Sequence, residues 1–277
     1  GPIMKPLNLF PKPLKKKIRF VLTDIDDTLT VNGRLPAIVF AAMERLQQAG
    51  IRIIPVTGRP AGWCDHIARM WPVDALVGEN GAFYFRYDPE NKKMLRRYFK
   101  SKSERRRDRL KLNAIEKDIL KTVPEARVSA DQAYREPDLA IDFCEDVPRL
   151  SDASICQIVD LFTRNGAQAK ISSIHINGWF GEYDKLSTTE LLFKEVFDID
   201  LAGSRDRTLF VGDSPNDCPM FEFFTRSVGV ANIQDFESDL TFKPMWITQK
   251  PGGYGFAELV NSLLGNESKK NIAFFRV

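Results

Sequence analysis

Apolar positions along the chain fall into two alternating kinds of run. "IRFVLTDID" is a compact apolar block ending in carboxylates, the pattern of a strand buried on both faces of a parallel sheet. "LPAIVFAAMERLQQAG" then spaces its apolar residues at helical intervals and ends on Gly50, a C-cap residue. "IRIIPVTGRP" reads as a second buried strand with its polar residues gathered at the C-terminal end. "AGWCDHIARMWP" follows as a helix and "DALVGENGA" as a third, short strand. This alternation predicts a βαβαβ unit with right-handed crossovers.

From about Phe83 the pattern changes to longer strands and fewer buried runs. "AFYFRYDPENKKMLRRYF" predicts a hairpin turning at residues 88–91. "RLKLNAIEKDILKTV" and "DASICQIVDLFTRNG" are amphipathic helices, followed by strand-like "DLAIDF" and "AKISSIHING" respectively. This stretch reads as an insert. After "GEYDKLSTTELLFKEVF", whose end is helical, "TLFVGDSPND" restores the first pattern, a short apolar strand precedes Gly229, and "GYGFAELVNSLLG" is a closing helix. At the start, "GPIM" reads as a tag remnant and "KPLNLFPKPLKKK" as a Pro/Lys-rich tail.

Composition adds limits. The 277 residues are 43% hydrophobic and 28% charged, ordinary values that exclude a disordered or fibrous chain. A net charge of +3 is too mild to imply nucleic-acid or membrane binding, and neither partner is expected. Cys64, Cys144, Cys156 and Cys218 form no C-x-x-C pair, so a zinc site and a disulfide framework are not indicated and a reducing, cytoplasmic setting is expected. No apolar stretch approaches the roughly 20 residues of a membrane helix. The most basic stretch, "KKMLRRYFKSKSERRRDRLK", is read as a solvated hairpin edge and helix face, the alternative being an electrostatic funnel for anionic substrates. The sequence leaves the oligomeric state open.

Chemistry concentrates at three strand ends: Asp24 with Asp26, Thr57 with Gly58, and Asp213 with Asn216 and Asp217. In open parallel sheets such ends converge on one crevice. A carboxylate cluster there stays ionised only beside a cation, and oxygen-only ligands favour Mg2+. A metal with a free carboxylate points to phosphoryl transfer. Asp24 would act as nucleophile, Asp26 as general acid and then base, and Thr57, nearby amides and a lysine as phosphate donors.

At this point the sequence resembles the haloacid dehalogenase superfamily of phosphotransferases. The resemblance rests on D-x-D-x-T at Asp24, Asp26 and Thr28, "VTGR" with Thr57, Gly58 and Arg59, then Lys185, then "GDSPND" with Asp213 and Asp217. It implies Asp24 as nucleophile and Asp26 as acid/base. Mg2+ would be held by Asp24, the Asp26 carbonyl and Asp213, with Asp217 close by. About 125 residues separate Thr57 from Lys185, far more than an ordinary connection. The resemblance makes this an α+β C2 cap of the type IIB branch, which includes sugar-phosphate phosphatases and Cof-like hydrolases. The implied architecture is a Rossmann-like, doubly wound α/β core over residues 17–82 and 181–277, a cap over 83–180, and a tail over 1–16.

Two departures from the family pattern stand out. Asp27 occupies a position where many members have Gly, and Leu186 follows Lys185, which leaves Lys194 as the alternative lysine. Arg59 is a candidate for substrate contact or for pairing with a carboxylate. His175, Asn177 and Trp179 share one face of a cap strand and are specificity candidates if that face looks into the cleft, while Arg135, Glu136 and Asp138 are weaker ones. The expected function is hydrolysis of a small phosphorylated metabolite, a sugar phosphate. A phosphomutase is the alternative, and a catalytically idle binding module with a basic cap surface is the rival from another class.

Overall fold

The computed structural model describes residues 3–265. Its main sheet is six-stranded and all parallel, in the order β1 (Lys5–Pro6), β13 (Trp246–Ile247), β12 (Ser227–Gly229), β11 (Thr208–Gly212), β2 (Phe20–Thr23), β3 (Arg52–Pro55). Every residue of β2 and β11 is buried, as a strand covered on both faces requires.

Alternation along these strands divides the core in two. Val21, Leu209 and Val211 point to α2 (Ala37–Gln48) and α8 (Gly252–Leu264), where Met43, Leu46 and Phe256 meet them. Leu22 and Phe210 point the other way, to Leu192 and Phe193 of α6 (Lys185–Phe197) and Phe221 of α7 (Cys218–Phe223). Each such side chain contributes about 1.5–3 kcal/mol by leaving water. Pairing of Leu22 with Phe210 and Ile54 fixes the register, so β2 and β11 end side by side.

The cap is a four-stranded antiparallel sheet ordered β7 (Arg127–Val128), β8 (Leu139–Asp142), β10 (His175–Trp179), β9 (Gln168–Ile171). Leu139, Ile141 and Ile176 face α4 (Lys102–Thr122) and α5 (Asp152–Arg164) across their own apolar cluster. The opposite face carries His175 and Asn177. Among the described residues no helix is long and apolar enough to cross a membrane.

Five sequence readings need correction. The tail is folded: Lys5 and Pro6 extend the sheet, Leu7 and Phe10 are buried, and Phe10 stacks on Trp246 at 3.9 Å between centroids. The third short strand, β4 (Leu76–Gly78), touches the main sheet only through the Val56–Val77 bridge and pairs antiparallel with the hairpin β5 (Phe83–Asp88) and β6 (Lys93–Tyr98). That hairpin packs on the core rather than in the insert, because Phe83 and Phe85 stack at 4.2 Å within the core's apolar cluster. "AKISSIHING" is two strands, since the Ser172 hydroxyl accepts from the amides of Ile174 and His175 and turns the chain. Helix α4 begins at Lys102, seven residues before Arg109, because Ser101 and Glu104 form a capping box. Residues 266–277, included in the predicted core, lie outside the described residues, as do 1–2 of the tag remnant.

Candidate active site

β2 delivers Asp24, whose amide donates to the Val211 carbonyl of β11 at 3.1 Å, and β11 delivers Asp213 one residue beyond its own end. The short turn after Asp213 brings Asp217 back. Carboxylate oxygens of Asp24, Asp213 and Asp217 all lie within 4.8 Å of one another, and the three residues are only 9%, 2% and 1% exposed. Burial, then the neighbouring Asp217, pushes the Asp24 carboxyl up to about 7, with Lys185 opposing. Burial and Asp24 likewise raise Asp213 well above the carboxylate range. Three oxygen donors this close and this dry suit a hard divalent cation, which would relieve the repulsion they now share.

Within that set the roles differ. Thr28 Oγ1 donates to Asp213 Oδ1 at 3.1 Å. Asp217 Oδ2 accepts the amides of Asp213 and Ser214 at 2.9 and 3.3 Å, so it shapes the turn. The Asp26 side chain is not in the cluster. Both its oxygens accept from Arg59, from Nε at 2.9 Å and Nη2 at 2.8 Å. Asp27, between Asp26 and Thr28, has φ of 60°, a left-handed conformation that glycine adopts freely and Asp tolerates.

Arg59 is 5% exposed and joins core to cap. Besides Asp26 it reaches Asp131 at 3.1 Å and Glu145 at 2.6 Å, and its guanidinium lies 4.2 Å from the Trp63 ring centroid. Asp142 accepts the amides of Cys144, Glu145 and Asp146, which fixes the loop presenting Glu145. A second tie comes from Glu79, fully buried, which accepts amides of Ala61 in the core and of Glu136 and Asp138 in the cap.

The remaining candidates gather around the same cleft. Thr57 lies buried beneath it, its Oγ1 accepting the Arg59 amide at 3.0 Å, while Gly58, Lys185 and Asn216 line it. Gly81, at φ of 102°, lets the "ENGA" turn press against the carbonyl of Asp184, which caps α6 and so sets the place of Lys185. Lys185 makes no ion pair among the described residues. Lys194 lines a different groove with Glu190 and Asp198, which removes it as the alternative. His175 and Asn177 do face the cleft: His175 Nε2 is 3.0 Å from Glu145 Oε1, and Asn177 Nδ2 donates to Asp138 at 3.2 Å. Trp179 instead packs in the core and donates to the Tyr183 carbonyl. Arg135, fully buried, holds Asp131 and Asp138 and donates to the Gly58 carbonyl at 2.8 Å.

Sequence reasoning passed over Glu79, Asp131 and Glu145. Asp131 and Glu145 lie in the cap, away from the core's strand tips, and Glu79, although it follows β4 directly, reads in "ENGA" only as part of the segment before the insert. The basic stretch does not line the cleft. Arg97, Lys100 and Arg105 pair with Glu195, Asp108 and Glu136, as a solvated edge and helix face would.

With cap and core so joined, the space left above Asp24 is about 20 Å³, room for one water. Residues 21–114 match the family model of haloacid dehalogenase-like hydrolases. The fold is similar over most of the chain to a solved structure: a Thermoplasma acidophilum protein superposes with TM-score 0.68 at 17% identity, over 89% of this chain and 98% of that one. Residues 21–114 thus carry a haloacid dehalogenase-like signature, and the fold is similar to that of the solved structure.

Two further solved structures are similar to this chain in fold. One is the sucrose-phosphatase of Synechocystis, solved with sucrose and phosphate (TM-score 0.60, 16% identity, 88% of this chain and 97% of that one). The other is a haloacid dehalogenase-like hydrolase of Bacteroides thetaiotaomicron (TM-score 0.61, 15% identity, 88% and 98%). No curated protein matches the chain in sequence.

Proposed function

We propose that this chain is a Mg2+-dependent phosphomonoester hydrolase that works through an aspartyl-phosphate on Asp24, with small sugar phosphates as its substrate class. The observation that carries the reading is the trio of buried carboxylates at and just beyond two adjacent strand tips, of which Asp24 lines one cleft with Lys185, which has no ion pair among the described residues. Asp24, Asp213 and the Asp26 carbonyl would hold the ion, with Asp217 behind them. When bound, Mg2+ polarises a phosphoryl oxygen and offsets the repulsion between two anions.

The residues then divide the work. Lys185, Thr57, the Gly58 amide and Asn216 steady the phosphoryl oxygens. An Asp24 oxygen bonds to phosphorus as the ester bond breaks, and Asp26 gives its proton to the departing alcohol oxygen. Water next attacks phosphorus, Asp26 takes the water's proton, and the bond to Asp24 breaks to release inorganic phosphate. For the acid step one Arg59 bond to Asp26 must open, so proton delivery depends on where the guanidinium sits. Substrate access needs the cap to move, since about 20 Å³ admits no sugar phosphate. The sucrose and phosphate of the similar Synechocystis structure support a sugar ester.

The test is phosphate release from 4-nitrophenyl phosphate: turnover should require Mg2+, stop with chelator and return on adding Mg2+. Full turnover in excess chelator would sink the reading. A second expected result concerns the acid. Asp26→Ala should lower kcat for an alkyl ester by about 10²–10⁴-fold, yet lower that for nitrophenyl phosphate, whose leaving group needs no proton, far less. Equal losses on the two esters would contradict the acid role.

A further inference from the structure

Beside the cleft, on the other side of the Arg59–Asp26 pair, lies a groove of about 550 Å³. Its walls are Trp63, Ile67 and Trp71 of α3 (Ala61–Met70) and the residue after it, Leu35, and Tyr134 of the cap. Trp63 and Tyr134 are 40% and 57% exposed, large aromatic surfaces left open to water. The two are held side by side, because Tyr134 rests on Gly62, where an added Cβ would stand 2.9 Å from the Tyr134 Cβ. Asp26 and Arg59 line both this groove and the cleft above Asp24.

We infer that the groove receives the alcohol part of the substrate, and that this alcohol carries a ring with an apolar face. The inference rests on the phosphatase reading. If phosphorus sits at Asp24 and the departing oxygen beside Asp26, the rest of the ester has two ways to go. The cleft offers about 20 Å³ among polar groups already paired with one another, whereas the groove begins at Asp26 and offers planar aromatic faces. Such faces favour flat or ring-shaped partners over flexible chains, since a ring buries area with little loss of conformational freedom. Both an aryl group and the C–H face of a hexose have this chemistry.

The experiment compares kcat/KM for 2-naphthyl phosphate and glucose 6-phosphate, each divided by that for ringless glycerol 3-phosphate, in wild type, Trp63→Ala and Tyr134→Ala. Tyr134→Ala keeps the Cβ that packs on Gly62 and lies apart from Arg59, so it guards against loss through misfolding or a shifted guanidinium. At least one ring ratio should fall by about tenfold or more in both variants, and the one that falls identifies the ring as aryl or hexose. If wild type hydrolyses these esters and both ratios stay constant, the inference alone is overturned. If wild type with Mg2+ hydrolyses none of them, the phosphatase reading fails and takes the inference with it.

Discussion

Asp24→Asn should abolish turnover, with a loss on the order of 10³-fold or more, while leaving the fold intact or firmer. An amide of the same size cannot bond to phosphorus, and removal of a nucleophile is among the costliest changes in enzymes of this kind. The stability half of the result has a separate cause. In the absence of a cation Asp24 is pressed by burial and by Asp217, and its proton affinity is raised accordingly. Neutralising it removes that repulsion, so the melting temperature in chelator should not fall. Mg2+ should raise the melting temperature of wild type more than that of Asp24→Asn, because an ion stabilises the folded state in proportion to its affinity. Steady-state rates and melting curves with and without Mg2+ check both halves, and retained turnover in the variant would remove Asp24 from the chemistry.

The largest stability effect is expected at Arg59. Arg59→Ala would leave Asp26, Asp131 and Glu145 without their shared cation, and stripping one partner from a buried ion pair costs about 3 kcal/mol or more. Arg59→Lys keeps the charge but not the two-pronged contact with Asp26, so it should recover only part. Urea unfolding of the three proteins gives the numbers, and an alanine variant as stable as wild type would show that the network contributes nothing. Acid offers a related check. Burial pushes the Glu145 carboxyl up, but bonds from His175 and Arg59 outweigh it and hold the group down at about 2. A lowered value means the folded state binds the proton less readily than the unfolded one. This contribution is therefore full above the ordinary value of about 4.3 and disappears as pH falls through about 2. Wild type should lose stability over that window more steeply than Arg59→Ala.

What the sequence reveals here depends on how local the cause is. β2 and β11 were legible because strands buried on both faces must be apolar throughout, and their tips must then carry whatever the crevice needs; Asp24 and Asp213 follow from that alone. Asp27 and Ser101 carry local signals too, one a left-handed turn and the other a capping box whose Glu104 stands three residues on. The hairpin's allegiance was not legible, since Phe83 and Phe85 alternate in the same way whichever body they pack on. Nor was the hold of Arg59 on Glu145, 86 residues away, which exists only once the cap lies over the core. Composition misled at the start of the chain: lysines and prolines disguised Leu7 and Phe10, two apolar residues that suffice to dock the segment.

That docking bears on how the molecule comes together. Among the described residues the outermost strand, Lys5–Pro6, pairs only with Trp246–Ile247, about 240 residues further along the chain. This edge of the sheet therefore cannot form until both segments have been made. It closes by a contact of very long sequence separation, the kind that slows folding most.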